Sequence, residues 1–243
     1  MPKQIWEYMG ASVIGPAHLI NGMPNQDAWI AKRFKWGNVI AVADGLGSKR
    51  YSDIGAKAAC NAIVDAAKWF QKRANRNHEE LSRTIHRNWL NRLGSLESTD
   101  CATTCLFAIQ IGQSITLGRL GDGMLIAVDG NHEHEVILSD DKGESFSNFT
   151  LCLGREFRPE HWELATLDSN SYNAVLICSD GIADDLVVEQ RGSFAHEFYQ
   201  AYSTQSHSER SLDLLRWLNN WPVPGHTDDK TVACLVKRGP RFE

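Results

Sequence analysis

Three stretches of this chain, VIAVA at 39–43, AVLIC at 174–178 and VACLV at 232–236, are apolar at every position. All are β-rich and too short to be read as helices. A strand that is apolar on both alternating sets of positions needs both faces of its sheet covered. Two sheets packed face to face, with helices on the outer faces, meet that requirement. The expected fold is therefore a four-layer αββα sandwich.

The rest of the pattern agrees with that layout. AWIAKRF and NVIAVAD flank a KWGN turn, a hairpin signal, and the first forty or so residues read as extended. A helix follows, with Ser52 as its expected N-cap and Ile54, Ala58, Ala62, Ala66 and Phe70 on one face. A second helix starts at Asn77 and Glu80, a capping-box-like pair, and repeats Leu81, Ile85, Trp89 and Leu93. TTCLFAIQI, SITLGRL, GMLIAVDG and EHEVILSD read as strands, HWELATLD and NAVLICSD as a further strand pair. SFAHEFYQAY and RSLDLLRWLNNW read as helices, and KTVACLVKR as a closing strand. No linker or repeat divides residues 1–243, so a single domain is expected.

Several apolar runs end in an acid beside a glycine. The candidates are Asp27 in NQDAW, Asp44 in ADGLG, Asp122 in GDG, Asp180 and Asp184 in SDGIADD, and Asp228 in TDDKTV. A lone Asp-Gly is usually a turn. Six acids at strand boundaries are read in two ways, as separate turns or as one carboxylate cluster at a sandwich edge. Clustered carboxylates repel unless cations sit among them. Hard divalent ions with oxygen ligands, Mg²⁺ or Mn²⁺, suit such a cluster.

In order, NQDAW, ADGLGSK, ATTCLFAI, GRLGDGM, CSDGIADD and TDDKTVACL resemble the motifs of the type 2C metal-dependent protein Ser/Thr phosphatases, over residues from about 10 to 237. GAxxIGPAHLINGMPNQDAW and KGESFSNFTLCLG resemble the compact bacterial branch in particular. The resemblance implies the same αββα fold and a centre of two Mn²⁺ or Mg²⁺ ions, with a possible third. It implies that Asp44 bridges the two ions, that the Gly45 carbonyl completes one shell, and that Asp180 and Asp228 hold the first ion. Asp27 supports the second, and Asp122 and Asp184 match the third-metal positions. The activity implied is hydrolysis of phospho-Ser/Thr monoesters by a water activated at that centre. The implied partners are a phosphorylated protein substrate and a cognate Ser/Thr kinase.

Three positions depart from many relatives. Gln26 stands where Glu is common, Gly22 where an Arg grips phosphate, and Leu46 where eukaryotic members carry a His. His18, Lys49 and Arg50 are the candidate replacements for the missing phosphate-binding cation. Gln26 and Gly22 also motivate an alternative reading, a pseudophosphatase that binds phosphoproteins without turnover. A dedicated regulator in a stress or sporulation switch is a third possible setting, as substrate of the enzyme.

Composition narrows the classes further. A net charge of −5 gives no support for nucleic-acid or acidic-membrane binding. No apolar run approaches the roughly 20 residues that span a bilayer, and MPKQIWEYMG lacks a signal-peptide core. The cytosol is the expected compartment. The six cysteines show no C-x-x-C or zinc spacing and read as reduced core thiols. The absence of a Walker sequence argues against an NTPase. NHEHE at 131–135 reads as a solvated turn, Thr103 and Thr104 as core-strand residues behind the metals. Trp217 and Trp221 on the last helix are a candidate partner surface.

Overall fold

The structure is a computed structural model and describes residues 5–131, 133, 135–139 and 150–238. In chain order the elements are β1 (Trp6–Val13), α1 (Pro16–Ile20), β2 (Asp27–Phe34), β3 (Gly37–Asp44), α2 (Ser52–Phe70) and α3 (His78–Leu93). There follow β4 (Cys105–Ile111), β5 (Ser114–Leu120), β6 (Met124–Val128) and β7 (Glu135–Ser139). The chain closes with β8 (Glu163–Asp168), β9 (Ala174–Cys178), α4 (Asp180–Ala183), α5 (Arg191–Ser203), α6 (His207–Asn219) and β10 (Lys230–Lys237).

The strands form two antiparallel five-stranded sheets, ordered β1-β10-β9-β6-β7 and β2-β3-β4-β5-β8. The doubly apolar strands explain the layering. Val39, Ala41 and Ala43 of β3 pack with α2 and α3, including Ile63, Phe70, Leu81 and Trp89. Their alternate neighbours Ile40 and Val42 meet Val175, Ile177, Ala233 and Leu235 of the opposite sheet. The other faces of β9 and β10, with Leu176, Cys178, Val232 and Cys234, pack against Phe198, Leu214 and Leu218 of α5 and α6. The result is the expected αββα sandwich, with every face of the central strands covered.

Some local expectations differ from the fold. Residues 1–40 are not all extended, because Pro16 starts the short helix α1. Tyr51, not Ser52, precedes α2, and the Ser52 hydroxyl is buried without a hydrogen-bond partner. Ile54 is exposed although Ala58, Ala62, Ala66 and Phe70 are buried. A four-residue step overshoots a full helical turn by about 40°, so such a series drifts off one face. Asn77 does cap α3, accepting from the Glu80 amide at 3.0 Å. HWELATLD and NAVLICSD supply β8 and β9, but these do not pair. β8 lies on the edge of one sheet against β5, while β9 sits inside the other, between β10 and β6. β9 takes its partners β10 and β6 from segments remote in sequence, and its burial on both faces follows from the layers on either side of its sheet.

Trp221 is buried, and Trp217 packs edge-on against it and against Phe198. The two indoles therefore belong to the outer core, not to a partner surface. All six cysteines are free, and five are buried. Among the described residues no helix is long and apolar enough to cross a membrane. His132, His134 and residues 140–149, which include most of the KGESFSNFT motif, lie outside the described residues.

Candidate metal centre

The strand ends converge on one edge of the sandwich. Asp27 opens β2 and Asp44 closes β3, and the two face each other in register. Directly opposed residues of an antiparallel pair project to the same side, so the pairing puts both carboxylates on one face. Asp180 opens α4 immediately after β9. Asp122 occupies the turn between β5 and β6, and Asp228 precedes β10. Carboxylate oxygens of Asp44, Asp122 and Asp180 lie within 4.8 Å of one another. They line a cleft of about 340 Å³ together with His18, Gln26, Gly45, Leu46, Thr104, Thr150 and Asp228.

The backbone is held rigidly behind these acids. The Asp44 carbonyl accepts from the Thr104 amide and the Thr103 hydroxyl, both at 2.8 Å. The Asp44 amide donates to Thr104 Oγ1 at 2.9 Å. The two threonines thus clamp Asp44 from the segment just before β4; they are buried, as expected, but stand outside the strand in which they were expected. Gly45 has no room for a side chain, since a Cβ there would stand 2.6 Å from the Ser52 carbonyl. Asp122 is flanked by Gly121 and Gly123 at φ +100° and +92°, values that glycine alone adopts without strain. Arg119 Nη1 donates to the Gly121 carbonyl at 2.8 Å, and Thr150 Oγ1 donates to Asp122 Oδ2 at 2.8 Å.

Two organising residues escaped the sequence reading, although both lie inside its motifs. Ser179 donates to Asp27 Oδ2 at 2.8 Å and accepts from the Thr231 amide at 3.0 Å, tying β9, β2 and β10 together. Asp229, buried beside Asp228, accepts the amides of Gly15 at 2.6 Å and Gln26 at 2.7 Å. Its Oδ2 also lies 2.9 Å from His18 Nδ1. The only available signal was the second acid of TDD, next to the one chosen.

The remaining candidates are placed differently. His18 lines the cleft, but from helix α1 and not from a strand. Lys49 and Arg50 are not among the residues that line it, and the Arg50 guanidinium lies over the Tyr51 ring. Gly22 is exposed at φ +62° with open space around it. Asp184 is exposed and lines a neighbouring cleft with Asp185, His226 and Lys230, which joins the first through Asp180, Thr227 and Asp228.

The acids at this edge repel one another and are held out of water. Burial pushes the Asp44 carboxyl well above the usual range, with Asp27, Asp180 and Asp228 adding repulsion. Burial likewise raises Asp27 to about 7 and Asp180 to about 6. Asp27 Oδ1, Asp180 Oδ1 and Gln26 Oε1 are buried acceptors without a hydrogen-bond partner among the described residues. Unpaired buried oxygens are costly, and a hard divalent cation is the partner that such a set of donors fits.

The raised carboxyls carry a stability consequence. Between about pH 4 and 7 the folded chain holds more protons at Asp27 and Asp180 than the unfolded chain does, so its stability falls as pH rises through that window. In EDTA the thermal midpoint is therefore expected to be several degrees lower at pH 8 than at pH 5. Excess Mn²⁺ at pH 8 should restore it. An EDTA midpoint that rises from pH 5 to pH 8 would contradict this account.

Comparison with known proteins agrees with this geometry. The profile of the family described as protein phosphatase 2C matches residues 14–219. No curated protein matches the chain. Among solved structures, a bacterial serine phosphatase superposes with TM-score 0.62 at 14% identity, covering 98% of this chain and all of the other. The serine/threonine phosphatase Stp1 from Staphylococcus aureus gives 0.63 at 14%, covering 97% and 96%. The catalytic domain of the serine threonine protein phosphatase PstP, in complex with two manganese ions, gives 0.63 at 16%, covering 98% and 100%. With its motifs, its two-sheet sandwich and its acidic edge in agreement with that match, the chain belongs to the protein phosphatase 2C family of phosphoprotein phosphatases.

Proposed function

We propose that this single-domain protein is a Mn²⁺- or Mg²⁺-dependent phosphatase acting on phospho-Ser/Thr in proteins. The observation that carries the reading is the gathering of Asp44, Asp122 and Asp180 within 4.8 Å at the sandwich edge. Asp44 would bridge two ions, with the Gly45 carbonyl, Asp180 and Asp228 completing the first site and Asp27 supporting the second. Asp122 and Asp184 are the residues for a third ion. When bound, the ions supply Lewis-acid activation of water and stabilise negative charge on the transferred oxygens.

The chain's own groups do the positioning. Thr103 and Thr104 fix Asp44, and Ser179 holds the Asp27 carboxylate through Oδ2. Gln26, neutral and buried, offers Oε1 to the cleft wall without adding charge. His18, held beside Asp229, is the ring in the cleft that can meet a phosphate oxygen. Lys49 and Arg50 are the competing cations, on the loop after DGLG.

The direct test is hydrolysis of an aryl phosphate and of a phosphopeptide by the purified protein, with Mn²⁺ and with EDTA. Turnover that depends on Mn²⁺ is expected, and its absence with both substrates would leave phosphoprotein binding without turnover. Gly22, which places no cation at the cleft, is the observation that favours this second reading. In the same assay His18→Ala should lower kcat/KM for the phosphopeptide about tenfold, or about 1.4 kcal/mol, at unchanged Mn²⁺ affinity. Unchanged kinetics there, with a loss in Lys49→Ala or Arg50→Ala, would move phosphate binding to the loop.

A further inference from the structure

Lys230 is the first residue of β10 and stands two positions after Asp228. It is only 1% exposed. Lysine is rarely buried to this degree unless its charge is matched. Here the ammonium lies 3.2 Å from His226 Nδ1, 3.4 Å from the Asp228 carbonyl oxygen and 3.9 Å from Asp185 Oδ2. An ammonium has only donors, so His226 accepts through Nδ1. The Nζ lies over the Trp221 ring, 5.6 Å from its centroid, and the Trp221 Nε1 donates to the same Asp185 oxygen at 2.6 Å. Lys230 also lines the cleft shared with Asp180, Asp184 and Asp228. A positive charge is thus locked, by a tryptophan and an aspartate, on the flank of the acids that face the metals.

We propose that Lys230 is a resident cation of the acidic edge, which weakens divalent-ion binding on the Asp180, Asp184 and Asp228 side. It offsets part of the repulsion among the carboxylates when no ion is bound, and it opposes an additional ion through like-charge repulsion. The residue would therefore set how many ions the edge holds and how tightly. This role rests on the metal reading given above.

The test is calorimetric titration of the metal-free protein with Mn²⁺, which does not depend on turnover. Lys230→Met keeps the length and removes the charge, and is expected to bind Mn²⁺ about tenfold more tightly or to take up one more ion. Lys230→Gln, which retains a donor for the Asp228 carbonyl, should change affinity in the same direction and serves if the Met variant does not fold. Damage to the fold would weaken binding, so tighter binding separates an electrostatic role from a structural one. Equal or weaker affinity with no additional ion, in a folded variant of either kind, would overturn the proposal. A wild-type protein that takes up no Mn²⁺ would overturn the metal centre itself, and this role with it.

Discussion

Asp44→Asn is expected to reduce phosphatase turnover by at least about 10³-fold, equivalent to about 4 kcal/mol of transition-state stabilisation. The side chain is nearly isosteric, so the Thr103 and Thr104 bonds to the Asp44 backbone survive. Only the charge disappears, and with it the group proposed to join two ions. The fold should not suffer. Asp44 is a carboxylate that burial and three neighbouring acids oppose, so its neutral replacement should raise the thermal midpoint in EDTA at pH 8. Loss of activity combined with a gain in metal-free stability distinguishes a lost ligand from a damaged structure. Near-normal turnover of this variant at moderate Mn²⁺ would end the metal assignment.

A second large effect is expected at a residue with no side chain. A Cβ at Gly181 would stand 2.0 Å from the Asp229 carbonyl oxygen and 3.4 Å from Asp228 Cβ. The first obstacle is backbone, which cannot rotate aside. Gly181→Ala must push the start of α4 away from the segment leading into β10. Asp180 moves with one and Asp228 with the other, so the two ligands of one proposed ion separate. The expected results are a stability loss of about 1–3 kcal/mol by denaturant titration and a fall in kcat/KM of about 10²-fold, typical of a small misplacement of a reacting group. Gly154→Ala, where a Cβ meets nothing within 4 Å among the described residues, is the control and should shift stability by less than about 0.5 kcal/mol. Equal behaviour of the two variants would show that the approach of α4 to β10 is not what positions Asp180.

Much of this architecture is legible in the amino-acid order because burial leaves a periodic record. VIAVA, AVLIC and VACLV are apolar on both faces since each lies inside a sheet covered by a second sheet and by helices. The acids of the motifs could be picked out for a related reason. An Asp that follows such a run must leave the core at once, and a neighbouring glycine permits the close approach, as Gly45 does at Ser52 and Gly181 at Asp229.

Pairing between distant segments leaves no such record. Nothing local says that β8 joins β5 instead of β9, because both strands pair with segments remote in sequence. Asp228 and Asp229 are adjacent and chemically identical. One is exposed at the cleft, and the other is buried on the amides of Gly15 and Gln26 more than 200 residues away. His18 and Lys230 likewise acquire their settings from residues remote in sequence, Asp229 for the first and Asp185 with Trp221 for the second. The sequence by itself determined the layers and offered the candidate acids, since hydrophobic periodicity and turn chemistry are local, but left open whether those acids cluster. Only the tertiary structure brought Asp44, Asp122 and Asp180 together and gave Asp229 and Lys230 their partners, because long-range packing sets the neighbours that stabilise each charge.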